Sequence, residues 1–377
     1  MPAPDLLAEA RRAIEVCNAC RYCEGFCAVF PAMERRRSFA GADLNALANL
    51  CHGCRSCFYA CQYAPPHPFG INVPRTFSEL RLDSYARYAW PKPFGALFRQ
   101  NGAVMALAMG LAVGLVVLLT AALQNVATLF GAHPAQPGVY YAVIPQAAMV
   151  WPALVTVGFS GVAIAMAVRA FWRDAGTPRR GAGALTAAVH HAMTLRNLGG
   201  GGYGCNDRDD TFSAARRRLH HAMFYGFALC FAATCVAGIL DGLGHPAPYG
   251  FWTPPVLLGT SGGLLMLTGA GGLFWLRLTG DQAPTARRLV GPDVAMLASL
   301  TMVPLTGLLL LALRATGAMG IALAIHLGFV LALFVTLPYS RMVHGPYRFA
   351  ALLWQAKEGQ GSALDPPGVG GPLDPAP

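Results

Sequence analysis

Eight of the eleven cysteines in this 377-residue chain fall into two runs with the same spacing. Cys17-x2-Cys20-x2-Cys23-x3-Cys27 is repeated as Cys51-x2-Cys54-x2-Cys57-x3-Cys61. Three thiolates on one tight loop reach three irons of a cubane, and the fourth cysteine of each run ligates the other cluster. The spacing therefore predicts two 4Fe-4S clusters with exchanged ligands. In the usual two-cluster arrangement a proline follows the fourth cysteine directly, whereas here the prolines come later, at Pro31 and Pro65. Zinc prefers paired ligands and fits two four-cysteine runs poorly. Disulfides do not suit a reducing compartment. Two adjacent cubanes are most simply a relay for electrons.

The histidines suggest a second redox group. Intramembrane histidine is rare enough to be a functional hypothesis by default. His326 lies in the last of the long apolar stretches, and His344 follows eighteen residues later. On a continuous helix these share a face about 27 Å apart, although Pro338 and Gly345-Pro346 interrupt the pattern. His220 and His221 follow Arg216-Arg217-Arg218 at the start of the third stretch, at the level of His344. Two imidazoles from different helices are what a b-type haem needs. One haem is expected there, with His221, one step deeper, as the preferred partner of His344. His326 has no evident partner: His245 is the nearest candidate and sits in a Gly-Pro loop, so a second haem is not expected. His190 and His191 read as surface residues, and Cys230 and Cys235 as packing residues. The glycine-rich stretch 199–205, ending in Cys205, is no phosphate loop, because no Gly-Lys-Ser/Thr follows. It reads as a flexible linker rather than a pocket for a quinone head or a docking flavoprotein.

The elements that must position these residues follow from the charge pattern. Apolar residues make up 55 % of the chain and charged residues 12 %, about half the charge of a soluble protein. Not one Asp, Glu, Lys or Arg occurs between residues 100 and 168. Six membrane spans are predicted near 102–123, 146–168, 219–240, 254–276, 294–313 and 319–340, each long enough for the hydrocarbon core. No secretory signal precedes the cysteines, so the cluster domain is expected in the cytoplasm. The loops on its side are rich in arginine, nine of them within 169–218, while the opposite loops hold only Arg314. This pattern places the basic loops inside a bacterial cytoplasmic membrane. The net charge of +10 is thus a topology signal, not a nucleic-acid footprint. The predicted fold is mainly α: an N-terminal helical two-cluster ferredoxin-like domain (1–91), then a six-helix transmembrane bundle (92–354) with a cytoplasmic loop at 173–218. A Gly/Pro-rich tail (355–377) reads as disordered. Helices are expected at 5–16 and 43–50, each delivering the chain to a cysteine run. A soluble part this small cannot build much core unaided.

On these residues the chain resembles the tricarballylate-utilisation B, or citrate-utilisation B, family over nearly its whole length. The likeness rests on both cysteine runs, the glycine-rich loop ending in Cys205, and Arg217-Arg218-Leu219-His220-His221. It also includes Ala247-Pro248-Tyr249, His326-Leu327-Gly328 and Leu337-Pro338-Tyr339-Ser340-Arg341-Met342-Val343-His344. The resemblance implies a partner, a separate FAD-dependent dehydrogenase acting on tricarballylate or a related polycarboxylate. Its electrons would pass through the eight cluster cysteines and a haem held among His220 or His221, His326 and His344, to membrane quinone. The second half is also similar to the haem subunit of respiratory nitrate reductase, in which the helix pairing with the two-histidine helix carries histidines ten residues apart. Ten residues after His220 and His221 stand Cys230 and Phe231.

No flavin or dinucleotide fingerprint and no nucleophile–base motif appears, so the flavin is expected on the partner and the chain reads as an electron-transfer subunit. Two other classes were weighed. A membrane-tethered iron–sulfur redox sensor would need no imidazoles at matched depth. A polycarboxylate transporter should carry polar groups at mid-membrane and a repeated helical half, and the first, second, fourth and fifth spans show neither.

Overall fold

The computed structural model describes residues 4–98, 101–133, 136–176 and 183–360. Five helices build the amino-terminal part: α1 (Pro4–Cys20), α2 (Val29–Glu34), α3 (Gly41–Leu50), α4 (Ser56–Tyr59) and α5 (Val73–Tyr88). The first cysteine run leaves the end of α1, and Cys51 caps α3. Asn72 starts α5 by accepting the Arg75 amide at 3.1 Å, with Pro74 in the first turn, where a missing N–H costs nothing.

A 3-10 segment (Lys92–Phe98) leads into α6 (Asn101–Leu123). Two short helices follow, α7 (Val126–Phe130) and α8 (Val139–Val143), and then α9 (Gln146–Asp174). Next come α10 (Ala184–Thr194), a small antiparallel pair of β1 (Cys205–Asn206) with β2 (Phe212–Ser213), and α11 (Ala215–Gly242). The chain continues through α12 (Pro254–Thr279), α13 (Val290–Leu313) and α14 (Met319–Thr336) to α15 (His344–Gln360). Six of these helices are long and apolar enough to cross a membrane. They are apolar all round, with Leu107, Leu118 and Leu154 more than half exposed on the outside of the bundle, as lipid-facing helices are.

The loop expected at 173–218 carries a helix and a β pair among its described residues. The second span runs on to Asp174, α10 packs on α15, and β1 folds back on the second cysteine run. The sixth span reaches Tyr339, but its α-helix ends at Thr336. Pro338 then sits in a 3-10 turn, and a new helix starts at His344. Residues 355–360, expected in the tail, belong to α15, and residues 361–377 lie outside the described part.

The core of the cluster domain is not confined to residues 1–91. Ile14, Leu44, Leu47 and Phe77 are continuous with Phe171 of α9 and Tyr347 and Trp354 of α15, all fully buried. Arg36 clamps this junction. It pairs with Asp43 and Glu358 at 2.8 Å each and lies 4.4 Å above the Trp354 ring. Membrane and cluster domains therefore share one core, which answers the size problem of the soluble part.

Among the spans, α11 lies tightly on α12 through Gly226, Gly262 and Gly269, where any Cβ would strike the facing backbone. Gly328 of α14 meets α6 at Val113 in the same way. Small residues let backbones approach where no hydrophobic drive exists between lipid-solvated helices. α13 packs on both α12 and α14; one cavity opens where α5, α11, α12, α13 and α15 meet, and a second between α11–α12 on one side and α13–α14 on the other.

Candidate functional site

The two cysteine runs have one backbone design. Arg21 and Arg55, each following the second cysteine of its run, have φ of 56° and 71°. A left-handed residue there turns the loop so that successive thiols point to one side. The thiols then gather in two sets. Cys17, Cys20 and Cys23 neighbour Cys61, and Cys27 neighbours Cys51, Cys54 and Cys57. The runs thus exchange their fourth cysteines. Burial pushes the Cys17 and Cys23 thiols up to about 12, and thiolate neighbours, Cys61 first, push in the same direction. Cys27 and Cys57 are driven well above the ordinary range by burial and then by Cys54. Thiols that resist ionisation this strongly are offset by cationic iron, and the two sets fit two iron–sulfur clusters. Among the described residues no three ligand side chains converge on the single point that one metal ion requires.

The sets differ in depth. Cys17, Cys20, Cys23 and Cys61 are only partly covered, beside Tyr22, which is 71 % exposed. Cys51 is buried in the main core, and Cys54 is buried against Leu198 and Cys205. The glycine-rich stretch is docked here rather than serving as a linker. Gly200 has φ +50°, and a Cβ on it would lie 2.3 Å from the Ser56 hydroxyl. The Asn206 amide donates to Cys54 O at 3.0 Å. Arginines from three helices meet the same cysteine loop: Arg81 and Arg348 donate to Cys51 O at 2.9 and 3.1 Å, and Arg216 to Gly53 O at 2.7 Å.

Behind this loop lies a cavity of about 270 Å³. His220 and His344 face each other in it, with ring centroids 6.0 Å apart and planes at 81°. His344 Nδ1 is tethered to Arg341 O at 2.6 Å, leaving Nε2 as its free nitrogen. His220 Nδ1 is buried without a hydrogen-bond partner. His221, the residue preferred from sequence, instead sits beside Tyr225 at 5.8 Å and does not line the cavity. One residue turns a helix by about 100°, and that turn carries His221 off the face that meets His344. The continuous helix that would place His326 and His344 on one face is also absent, so His344 reaches the site from the start of α15.

Six arginines, Arg55, Arg81, Arg216, Arg277, Arg341 and Arg348, line this cavity with a single carboxylate, Asp293. Asp293 pairs with Arg277 and Arg341 at 3.0 Å each. Arg277 Nη2, Arg341 Nη1 and Arg348 Nε remain buried without acceptors. Burial, then Arg81, lowers Arg348 to about 10. Arg216 pairs with Asp207 at 2.7 Å, which leaves six arginines against two carboxylates; buried cations in excess are costly, so the site calls for an anionic ligand. A haem with two propionates, apolar walls of Met223, Leu273 and Met296, and two imidazoles fits this residue set. Sequence reasoning counted most of these arginines only as topology markers. It also missed His52, a third buried imidazole of the cavity, whose Nδ1 is held by Leu50 O at 2.7 Å. Its position directly after Cys51 was the available signal.

A second cavity, about 260 Å³, lies deeper between α11, α12, α13 and α14. His326 lines it opposite Cys230, with Nδ1 bonded to the Thr306 hydroxyl at 3.1 Å. Neither His245 nor any charged residue is among its lining groups.

Comparison with known proteins agrees with this two-part architecture. Residues 10–87 match the citrate utilization protein B Fer4-like domain, and residues 100–365 match the citrate utilization protein B family itself. The citrate utilization protein B of Escherichia coli is 47 % identical over 358 residues, covering 94 % of this chain and 93 % of that protein. No solved structure matches the chain. With both cysteine runs inside the first match and all six spans inside the second, the chain belongs to the citrate utilization protein B family.

Proposed function

We propose that this protein is a membrane electron-transfer subunit. It takes electrons from a partner FAD-dependent dehydrogenase acting on tricarballylate or a related polycarboxylate, and delivers them to membrane quinone. The observation that carries the reading is the order of the centres. A partly exposed thiol set lies at the surface, a second set with Cys51 and Cys54 buried lies behind it, and the arginine-lined cavity with His220 and His344 adjoins that second set and the spans. Cys17, Cys20, Cys23 and Cys61 would hold one 4Fe-4S cluster, Cys27, Cys51, Cys54 and Cys57 the other, and His220 and His344 a b-type haem. These groups supply one-electron redox couples that side chains lack. The chain's own residues fix their spacing, neutralise the propionates and exclude water. The arginine-rich loops support a cluster domain on the cytoplasmic face of a bacterial inner membrane. The name of the Escherichia coli relative attaches that protein to citrate utilization, and polycarboxylate oxidation is the setting proposed for this chain.

The test is an anaerobic visible spectrum of detergent-purified protein, oxidised and reduced, with iron and haem counts. About eight non-haem irons and sharp reduced b-type bands are expected. Clusters without haem would refute the path and leave a cluster-based redox sensor in its place.

A further inference from the structure

The two cavities between the helices differ in charge. Six arginines and one carboxylate line the first, whereas none of the residues lining the second is charged. A haem placed in the second would leave its propionates among apolar groups with no cation to meet them, so a neutral occupant suits it. Cys230 is ten residues along α11 from His220, about 15 Å deeper on the helix axis, which puts the cavity well inside the apolar span.

The polar groups of this cavity are few and pointed. The Thr306 hydroxyl donates to Met302 O at 2.8 Å and so accepts from His326 Nδ1 at 3.1 Å. This leaves Nε2 as the free nitrogen of a ring lining the cavity, able to accept from a hydroxyl or, once protonated, to donate to a carbonyl. Thr260 Oγ1 is buried there without any partner. Phe231 and Thr234 line the cavity and are also exposed on the outside of the bundle, so it opens sideways, toward lipid. Its inner end meets the first cavity within about one helical turn, at Met223 against Phe227 and Leu300 against Val303.

We propose that the cavity between α11 and α14 binds the head group of the membrane quinone, with His326 and Thr260 as its hydrogen-bonding residues. The assignment rests on the relay reading for its place in the electron path, but binding itself is measurable without electron flow. Full-length protein in detergent is titrated with heptyl-hydroxyquinoline N-oxide, a fluorescent quinone analogue, and quenching gives affinity and stoichiometry. One site per chain is expected. Loss of one hydrogen bond in Thr260→Val should weaken binding roughly two- to tenfold. His326→Leu should weaken it about tenfold or more, and Val330→Trp, which fills the cavity one turn from His326, should abolish it. All variants should keep the wild-type iron and haem counts, which separates a lost site from a misfolded chain.

No binding to the wild type, or unchanged affinity in all three variants, overturns the assignment. A wild-type count of two haems per chain that falls to one in His326→Leu also overturns it, because the cavity then holds a second haem. Binding that persists in protein lacking haem sinks the relay reading and supports this site.

Discussion

Replacing Gly269 by alanine tests whether the helix spacing, rather than the histidines alone, creates the cofactor site. A Cβ at Gly269 would lie 2.2 Å from Met223 N and 2.6 Å from Leu219 O. Carbon atoms settle about 3.5–4.0 Å from non-bonded neighbours, so α11 and α12 must part by about 1 Å. Leu219 adjoins His220, and that displacement moves its imidazole relative to His344. Metal–ligand bonds tolerate only about 0.2 Å. Overpacking of this kind costs about 1–3 kcal/mol, equivalent to about a 5–150-fold loss in the loading equilibrium. Gly271→Ala is the control, since its Cβ meets nothing within 4 Å on the same helix. The assay is haem per protein by pyridine haemochrome, beside non-haem iron. Gly269→Ala should lose haem while keeping its cluster iron, and Gly271→Ala should match the wild type. Full haem loading with an unchanged spectrum in Gly269→Ala, or equal losses in both variants, would refute the reasoning.

His220→Ala and His344→Ala are expected to lower haem content about tenfold or more, whereas His221→Ala should retain it; the same absorbance assay decides. Cys61→Ser should deplete the cluster held by Cys17, Cys20 and Cys23, and Cys27→Ser the one held by Cys51, Cys54 and Cys57. Each should bring non-haem iron from about eight toward about four, with different electron paramagnetic resonance signals remaining. Arg36→Ala removes two ion pairs and the Trp354 contact from a side chain only 11 % exposed. A loss of about 2 kcal/mol at the junction of α15 with the cluster domain should appear as faster tryptic cleavage at Lys357. An unchanged digestion rate would show that the clamp carries no stability.

The cysteine runs, the spans and the family were legible because each is written in local spacing. Ligand loops for cubanes have a short fixed period, and a membrane span is a run length. The same locality hid the rest. Arg216, Arg277, Arg341 and Arg348 read as basic loop residues because charge counts along a chain carry no direction, yet with Arg55 and Arg81 they converge on one cavity. Choosing His221 by depth failed to capture a rotation of about 100° per residue, which only a packed helix pair reveals. The stretch 199–205 looked like a linker because glycine is permissive everywhere, whereas Gly200 is needed for contact with Ser56.

The amino-acid sequence by itself determined that this chain carries two cysteine runs of one spacing and six helices apolar enough to cross a membrane, because both depend on residues near one another in the chain. Only the tertiary structure decided which thiols share a set, which histidine faces His344, and that one cavity is cationic and the next uncharged. Those properties arise where α5, α11, α12, α13 and α15 meet, and no spacing along a chain encodes which faces of distant helices come into contact.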